Sequence, residues 1–267
     1  MQKIKMLGTG HGFVYKLYNT CFLLQNDDKF LLVDTGGSAE IVKRLEESNI
    51  KLIDIHDIFI SHCHTDHILG LMWMLKKYGG IFKQNLYKGK LNIYCNAEVS
   101  ESINSIYPHI FPKVYVDLIK EHININILQD GEKIEIAGLN FEFFDVNARG
   151  NSLYGFETIL ENGKRLVFLG DETCNPILYN KIRNSNYLMH EAFCLDEEEK
   201  NFKAYEKHHS TVKRVCIEMN QLNIDNLILF HTEDTHDDKK ELYKAEAKVY
   251  FDGNVIVPND MDEIILN

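Results

Sequence analysis

The chain has 267 residues, of which 45% are hydrophobic and 11% are aromatic. This is enough apolar material for a sizeable core, and without repeats or a proline-rich linker it predicts one domain over residues 1–267. The 29 basic and 40 acidic residues give a net charge of −11. Proteins that bind a nucleic-acid backbone usually carry a basic face, so this charge disfavours polyanionic partners.

Two features of the sequence bear on the compartment in which the protein works. The six cysteines include no Cys-x-x-Cys pair, and this scatter is typical of free thiols in a reducing compartment. The N-terminus has no apolar leader, and no stretch is apolar for long enough to span a bilayer. We therefore expect a cytoplasmic protein with no membrane partner.

Short apolar runs alternate with helical patterns along the chain. The predicted strands are residues 4–7, 20–25, 30–33, 57–60, 91–95, 123–128, 133–136, 139–146, 154–160, 165–169 and 227–230. The predicted helices are residues 38–48, with Ser38 as N-cap, 66–78, 97–106, 176–183, 211–220 and 239–247. Meandering strands with helices between them, in two similar halves, predict an α/β fold of two mixed sheets flanked by helices.

The strongest motif is His-Cys-His-Thr-Asp-His at residues 62–67, between an apolar strand and an apolar helix. Imidazole and carboxylate groups are natural ligands of Zn²⁺ and related ions. His62 and His64 can reach one ion from an extended turn, and Asp66 and His67 at the helix start can face a second. The spacing fits two ions about 4 Å apart. A histidine-rich surface loop is the plainer interpretation, but the position at the end of a buried strand favours metal binding.

The run at residues 62–67 resembles the His-x-His-x-Asp-His signature of the metallo-β-lactamase superfamily. The resemblance covers nearly the whole chain and is most specific to the ribonuclease Z-like branch, in which residues 190–193 and 209–211 also match typical stretches. It implies a four-layer αβ/βα sandwich in which Asp34 braces the site, Asp171 bridges two metal ions and His209 protonates the leaving group. The implied metal ligands are His62, His64, Asp66, His67, Asp171 and His231.

The residues outside the main motif also have plainer interpretations. Asp171 and His231 each follow a short apolar strand, where ligand sites commonly form, but Asp171 also fits a Gly-Asp turn and His231 a solvated strand end. His209 also fits a helix start. For His190, support of the site and packing in the core remain equally open.

One position departs from the family pattern. The family has a metal histidine after the strand at residues 139–146, but Asn147 stands there. The first site then keeps His62, His64 and Asp171, with Asn147 contributing at most an amide oxygen. We therefore expect one strong and one weak site, filled by one or two Zn²⁺ ions per chain, with Mn²⁺ or Fe²⁺ as alternatives.

Such a site predicts a hydrolase. Zn²⁺ lowers the pKa of bound water to about 7 and so supplies a hydroxide, which Asp66 would orient while His209 would protonate the leaving oxygen. The resemblance implies phosphodiester chemistry, but ribonuclease Z proper carries a long arm for which the stretch from Asn147 to Asp171 is too short. Together with the acidic charge, this favours a small phosphodiester substrate, such as a cyclic nucleotide or a phosphocholine-type ester, over RNA.

Three other functions remain open. The first is a tRNA 3′-end processing endoribonuclease of the ribonuclease Z type, and the second is a lactone or thioester hydrolase. The third is a non-catalytic metal- or ligand-binding sensor, for which the incomplete first metal site is the argument. Homodimers are common among proteins of the branch, although no feature of this sequence predicts one.

Other motifs carry less information. The glycine-rich residues 8–12 precede a strand, which favours a tight turn, able to line the mouth of the site, over a phosphate-binding loop. Phe13, Tyr15 and Tyr18 predict either a lid or ordinary packing. The basic and aromatic segment 76–89 is the best candidate for a nucleic-acid contact, but a solvated loop is favoured. The acidic run 196–199 is typical of a solvated face or a helix start.

Overall fold

The computed structural model describes residues 1–148, 150 and 152–267. The strands are β1 (Gln2–Gly8), β2 (Cys21–Asn26), β3 (Lys29–Val33), β4 (Asp57–Ile60), β5 (Leu91–Cys95), β6 (Ile123–Ile127), β7 (Lys133–Ile136), β8 (Leu139–Asp145), β9 (Tyr154–Ile159), β10 (Arg165–Phe168), β11 (Tyr187–Glu191), β12 (Asn226–Phe230), β13 (Asn254–Ile256) and β14 (Glu263–Ile265).

Helices separate these strands. The α-helices are α1 (Glu40–Glu47), α2 (Thr65–Lys83), α3 (Ala97–Ile110), α4 (Lys113–His122), α5 (Tyr179–Ile182), α6 (Glu199–Phe202), α7 (Val212–Asn220) and α8 (Lys239–Tyr250). Short 3₁₀ turns cover Leu52–Asp54, Pro176–Leu178, Asp196–Glu198 and Tyr205–Lys207.

The strands form two sheets in the part of the chain that the structure describes. The first has the order β14-β1-β2-β3-β4-β5-β6, and the second has the order β13-β12-β11-β10-β9-β8-β7. Each sheet is mixed: β1, β2 and β3 form an antiparallel meander, whereas β3 to β6 are parallel. The second sheet repeats this plan with an antiparallel part, β7 to β10, and a parallel part, β10 to β13.

Side chains that alternate along each strand divide the core into layers. In β4, Phe59 faces the space between the sheets, where its ring lies 5.0 Å from that of Phe143 in the second sheet. Ile58 and Ile60 on the same strand face the core that packs against α1 to α4. In β12, Leu229 faces the core under α7 and α8. The layers are therefore helices, sheet, sheet and helices, which confirms the predicted four-layer α/β sandwich.

Several elements differ from the predictions, and β13, β14 and α6 were not predicted. Helix α1 begins at Glu40 with Ala39 as N-cap, although the Ser38 hydroxyl still accepts a hydrogen bond from the Glu40 amide at 3.3 Å. Helix α2 continues beyond residue 78 to Lys83. Helix α4 was not predicted. Where the chain is described, no helix is long and apolar enough to cross a membrane. The single domain over residues 1–267 stays a prediction.

The segment 76–89 is partly the solvated loop that its composition favoured: residues 76–83 belong to α2, and residues 84–89 form a mostly exposed loop after it. The rings of Tyr78, Phe82 and Tyr87 are buried and contact one another. These rings fill the core because they lie on the inner side of the helix and of the turn that follows it. They are therefore unavailable for stacking on nucleotide bases, which argues against the segment as a nucleic-acid contact.

Candidate metal centre

The ends of four strands bring the predicted site residues to one mouth between the sheets. Asp34 follows β3, His62 lies just after β4, Asp171 lies beyond β10 and His231 follows β12. The pairs β3–β4, β10–β11 and β11–β12 are parallel, so their carboxyl ends share an edge, where ligand sites commonly form in α/β sheets. Asp34 and His231 have φ of 55° and 57°, a backbone conformation that non-glycine residues adopt mainly at strained or functional positions.

Asp34 supports the motif from behind. Its Oδ2 accepts a hydrogen bond from His67 Nδ1 at 2.8 Å, and its Oδ1 accepts one from the Ser61 amide at 2.8 Å. The Ser61 hydroxyl contacts the same carboxylate and lies 3.0 Å from His62 Nδ1. With these nitrogens engaged, the Nε2 atoms of His62 and His67 face the mouth.

Four predicted ligands form one compact group. Asp66, His67, Asp171 and His231 each offer a ligand atom within 4.8 Å of the others. His67 Nε2 lies 3.2 Å from both Asp66 Oδ2 and Asp171 Oδ2, and His231 Nε2 lies 3.4 Å and 3.3 Å from the same two oxygens. Two imidazoles and two carboxylates are a ligand set suited to Zn²⁺.

His62, His64 and Asp171 form a second group, again within 4.8 Å of one another. His62 Nε2 lies 2.9 Å from His64 Nδ1 and 3.5 Å from Asp171 Oδ1. Asp171 therefore turns one oxygen to each group, as a bridging carboxylate does. The fold therefore brings all six predicted ligands together. They fall into the two groups that the sequence predicted.

The donor set fits divalent cations on the evidence of its buried polar atoms. No described residue gives His67 Nε2 a hydrogen bond, although the atom is buried beside two carboxylates. Burial lowers the pKa of His67, but Asp66, Asp171 and Asp34 outweigh it and raise that pKa well above its usual range. Burial likewise raises the pKa of Asp171, yet His62, His67 and His231 hold it well below normal. An unpartnered imidazole nitrogen between two buried carboxylates is an arrangement that a divalent cation fits.

His209 lies at the edge of the same centre. Its ring stacks on Phe193 with centroids 4.8 Å apart, and its centroid is 5.1 Å from that of His231. Burial lowers the pKa of His209 to about 3. Its Nδ1 is 3.8 Å from Glu191 Oε2, and neither atom has a hydrogen-bond partner among the described residues. The two groups therefore face each other as a potential proton-sharing pair.

Glu191 is a further residue beside the centre, and the sequence did not predict a role for it. Glu191 ends β11 fully buried, its Oε1 accepts the Ser210 amide at 2.6 Å, and burial raises its pKa well above normal. The sequence feature that could have indicated a role for Glu191 is its position beside His190 at the end of an apolar strand, where a carboxylate does not contribute to packing. His190 is also fully buried, and its Nδ1 lies 2.7 Å from the Glu191 carbonyl. It belongs to no described ligand group, so packing is the interpretation that the structure favours.

The glycine-rich turn at residues 8–12 lines the mouth, as the sequence left open. A Cβ on Gly12 would lie 3.4 Å from Cγ of Asp66, so the turn passes directly over this carboxylate. The His11 ring is 4.4 Å from that of Phe193 and 6.2 Å from that of His231. The three residues predicted to form an aromatic lid or to pack differ from one another. Phe13 and Tyr15 are exposed, whereas Tyr18 is buried and its hydroxyl donates a hydrogen bond to the Thr35 carbonyl.

Asn147 adopts a left-handed backbone with φ of 56°. Its backbone N–H donates to Asp145 Oδ1 at 2.8 Å, and its side-chain Nδ2 donates to the Asp145 carbonyl at 3.2 Å. It also lines a polar cavity of about 220 Å³. The other residues of this cavity are Glu172, Thr173, Cys174, Asn175, Pro176, Tyr179, Tyr205, His208, Arg214 and Glu218. Because Glu172 follows Asp171 and His208 precedes His209, the cavity adjoins the metal centre.

Comparisons with known proteins agree with this fold and site. Ribonuclease Z of Sulfurisphaera tokodaii is 23% identical over 94% of this chain and 94% of its own length. Ribonuclease Z of Thermococcus sibiricus is 26% identical over 100% of this chain and 97% of its own. The metallo-β-lactamase fold protein YhfI from Bacillus subtilis superposes with a TM-score of 0.78 at 18% identity, covering 99% of this chain and 100% of that one. Human tRNase Z, short form, gives a TM-score of 0.71 at 20% identity, covering 99% of both chains.

Fold, site and relatives define a metallo-hydrolase of the metallo-β-lactamase superfamily, in its ribonuclease Z-like branch. This confirms the class that the sequence predicted. Within the superfamily, the sequence model described as Anti-Pycsar protein Apyc1 matches residues 2–255. The chain belongs to that family.

Proposed function

We propose that the protein is a metal-dependent phosphodiesterase that hydrolyses a small phosphodiester, with a cyclic nucleotide as the favoured substrate class. The observation that carries the proposal is the arrangement around Asp171, whose two oxygens face two separate groups of ligands. Two such groups would hold a pair of divalent ions, which would supply the chemistry of an in-line displacement at phosphorus.

In this proposal His62, His64 and Asp171 hold one ion, and Asp66, His67, Asp171 and His231 hold the other. Divalent ions bound there supply Lewis acidity and an activated water molecule, with Zn²⁺ favoured by the imidazole-rich ligand set and Mn²⁺ or Fe²⁺ as alternatives. Asp34 keeps His67 in the tautomer whose Nε2 faces the ion.

Two residues are assigned to proton handling. Asp66 lies under the turn at Gly12, where its carboxylate can orient the attacking water. His209 lies across the centre, with Nδ1 facing Glu191 and its ring held flat against Phe193. When the bond between phosphorus and the leaving oxygen breaks, the neutral His209 gives that oxygen the proton of its Nε2 and takes up a proton at Nδ1 from Glu191, whose raised pKa favours the protonated carboxyl.

The surroundings of the centre favour a small substrate. Residues 146–153 connect β8 to β9 and residues 160–164 connect β9 to β10, which leaves no length for a long RNA-binding arm. The cavity of about 220 Å³ offers the amide of Asn147 and the ring of Tyr205 beside the centre. Pockets for drug-sized ligands usually measure roughly 300–1,000 Å³. Hydrogen-bonding groups and aromatic faces in a space of this size suit a single nucleoside.

A tRNA 3′-end endoribonuclease is the second candidate. It is favoured by the curated relatives named ribonuclease Z, whose similarity to this chain extends over nearly their full length. The net charge of −11 and the short connections around β9 favour a small phosphodiester over a tRNA precursor as substrate.

The two candidates are separated by one set of assays. The purified protein is given a 3′,5′-cyclic nucleotide, a chromogenic phosphodiester and a tRNA precursor, each with Zn²⁺ or Mn²⁺, and Asp171→Asn is the inactive control. We expect metal-dependent turnover of the cyclic nucleotide and weak, salt-sensitive binding of the tRNA. Turnover of the tRNA precursor alone would establish the nuclease, and turnover of a lactone or thioester alone would replace the phosphodiesterase. Bound metal without turnover of any ester would indicate a sensor.

A further inference from the structure

Two acidic runs meet outside the two ligand groups of the catalytic centre. One is residues 196–199, Asp-Glu-Glu-Glu, which form a 3₁₀ turn and the start of α6. The other is residues 233–238, Glu-Asp-Thr-His-Asp-Asp, which lie between β12 and α8 and contain no lysine or arginine. The two runs are joined by His236, whose Nε2 lies 2.7 Å from Glu198 Oε1.

The meeting point contains carboxylate oxygens that lack partners. Glu233 is 1% exposed, and its Oε2 accepts the Thr235 amide at 2.5 Å. Its Oε1 is buried without a hydrogen bond from any described residue, and the same is true of Glu198 Oε2. A buried carboxylate oxygen without a partner is costly, and native proteins rarely leave one unexplained.

Nearby cations are engaged elsewhere. Lys239, which follows the loop, donates to the Thr232 hydroxyl at 2.7 Å, Lys213 pairs with Asp196 and Lys16 pairs with Asp237. Glu198 and Glu233 share His236 as a neighbour. The three residues each offer a ligand atom within 4.8 Å of the other two.

We infer that Glu198, Glu233 and His236 form a further divalent-cation site, separate from the catalytic centre and independent of the proposed substrate. Two carboxylate oxygens and one imidazole nitrogen suit Zn²⁺ or Mn²⁺, with water completing the coordination. Binding places positive charge where two acidic runs converge and satisfies the two unpartnered oxygens.

The site would brace the loop that supports the catalytic centre. Its loop, residues 231–238, begins with the predicted ligand His231. Its Asp234 accepts the amides of Tyr15 and Lys16 at 2.5 Å and 2.6 Å. Gly12, which lies over Asp66, comes shortly before Tyr15 in the same segment. An ion between Glu198 and Glu233 would therefore connect the loop at residues 231–238 to the turn at residues 196–198. Through Asp234, the same loop also holds residues 15 and 16.

The proposed cation site is tested by measuring how many metal ions each variant binds. Wild type, His236→Gln and Glu198→Gln are dialysed against Zn²⁺ alone and then against Mn²⁺ alone, and metal per chain is measured by elemental analysis. His109→Gln, at an exposed histidine of α3, is the matched control. We expect both site variants to bind one ion fewer than wild type and the control to bind the same number.

A second comparison separates this ion from the catalytic ones. Asp171→Asn removes the ligand shared by the catalytic groups, and we expect addition of His236→Gln to that variant to remove one more ion. His236 is partly exposed, so its substitution leaves the core intact and circular dichroism verifies the fold. Equal metal content in wild type and His236→Gln, or in Asp171→Asn with and without His236→Gln, would overturn the inference.

Discussion

Asp34 holds the imidazole of His67 from the side opposite the candidate metal: Oδ2 accepts a hydrogen bond from Nδ1 at 2.8 Å, and both side chains are 1% exposed. The carboxylate fixes the ring orientation and makes Nε2 a better ligand. We expect Asp34→Asn to weaken metal binding about 10- to 100-fold, because an amide is a poorer acceptor for this N–H. Zn²⁺ titration against a chromogenic chelator measures the change, with the exposed Asp28→Asn as control. Unchanged affinity would mean that the contact does not tune the ligand.

Gly70 lets helix α2 approach the loop that carries Asp34. A Cβ at this position would lie 1.9 Å from the Thr35 carbonyl oxygen, and the Gly70 amide already donates to the Gly36 carbonyl at 2.8 Å. We expect Gly70→Ala to destabilise the protein by about 3 kcal/mol or to prevent folding, because neither backbone can move away from the contact.

Gly80 provides a matched control on the same helix. The nearest atom to a Cβ there is the Tyr115 hydroxyl at 3.8 Å, which is ordinary contact. Gly80→Ala should therefore stabilise the protein by about 0.5–1 kcal/mol through helix propensity. Thermal unfolding of both variants checks the pair, and equal effects would show that the approach at Gly70 does not matter.

These two glycines illustrate what sequence patterns convey. The motif at residues 62–67, Asp171 and His231 were predictable because each stands next to an apolar strand, and strand ends converge in this fold. A pattern cannot distinguish Gly70 from Gly80, because the difference lies in the loop that each one meets in space. Helix α2 likewise extends beyond the predicted residue 78, because packing against α4 outweighs the low helix propensity of two successive glycines.

The same limit applies to the residues that the sequence left open. His11 and Glu191 reach the centre through contacts with Phe193 and His209, which are distant from them in the sequence. The acidic run at 196–199 was expected to be a solvated face or a helix start, and the second interpretation fits the observed turn and α6. Its contact with residues 233–238 depends on the sheet order and could not be foreseen from composition.

His209 is proposed to protonate the leaving oxygen. The effect of its substitution on kcat should therefore depend on how strongly that oxygen needs a proton in order to leave. We expect His209→Ala to lower kcat about 10²- to 10⁴-fold for an ester with an alkoxide leaving group. A p-nitrophenyl ester should be much less affected, because p-nitrophenolate leaves without protonation. His109→Gln, at an exposed histidine of α3 outside the cavity, is the control. Equal losses on both esters would instead assign His209 to positioning.

Glu142 connects the second sheet to helix α5 and should make stability depend on pH. Hydrogen bonding to Lys181 lowers its pKa, with Lys133 adding to the effect against the opposing influence of burial. A carboxylate whose folded pKa is depressed stabilises the fold above its unfolded pKa of about 4.3 and loses that contribution as pH falls through the folded value. Its side chain is 22% exposed, so screening limits the contribution to about 0.5–1 kcal/mol.

We therefore expect Glu142→Gln to be less stable than wild type at pH 7 and the difference to shrink toward pH 3. Urea unfolding at several pH values, in the presence of a chelator, measures the difference. Glu135→Gln, at an exposed position of β7, is the control. A difference that is constant over this range would show that the ion pair with Lys181 contributes nothing measurable.

The resemblance to the superfamily implies a metal histidine at the position of Asn147, and its replacement by asparagine predicts unequal metal sites. The group of His62, His64 and Asp171 offers fewer ligands than the group around His67, so we expect one ion to bind tightly and the other weakly. Asn147→His should strengthen the weak ion, because imidazole is a better ligand for Zn²⁺ than an amide oxygen, and histidine tolerates the φ of 56° at this position.

Competition titration with Zn²⁺ measures both affinities, in a His236→Gln background so that the ion proposed for the outer site does not contribute. The expected result is a fall in the weaker dissociation constant while the stronger one stays unchanged. Two tightly held ions in the background protein itself would contradict the prediction, since the existing ligands of the first group would then suffice without a third imidazole.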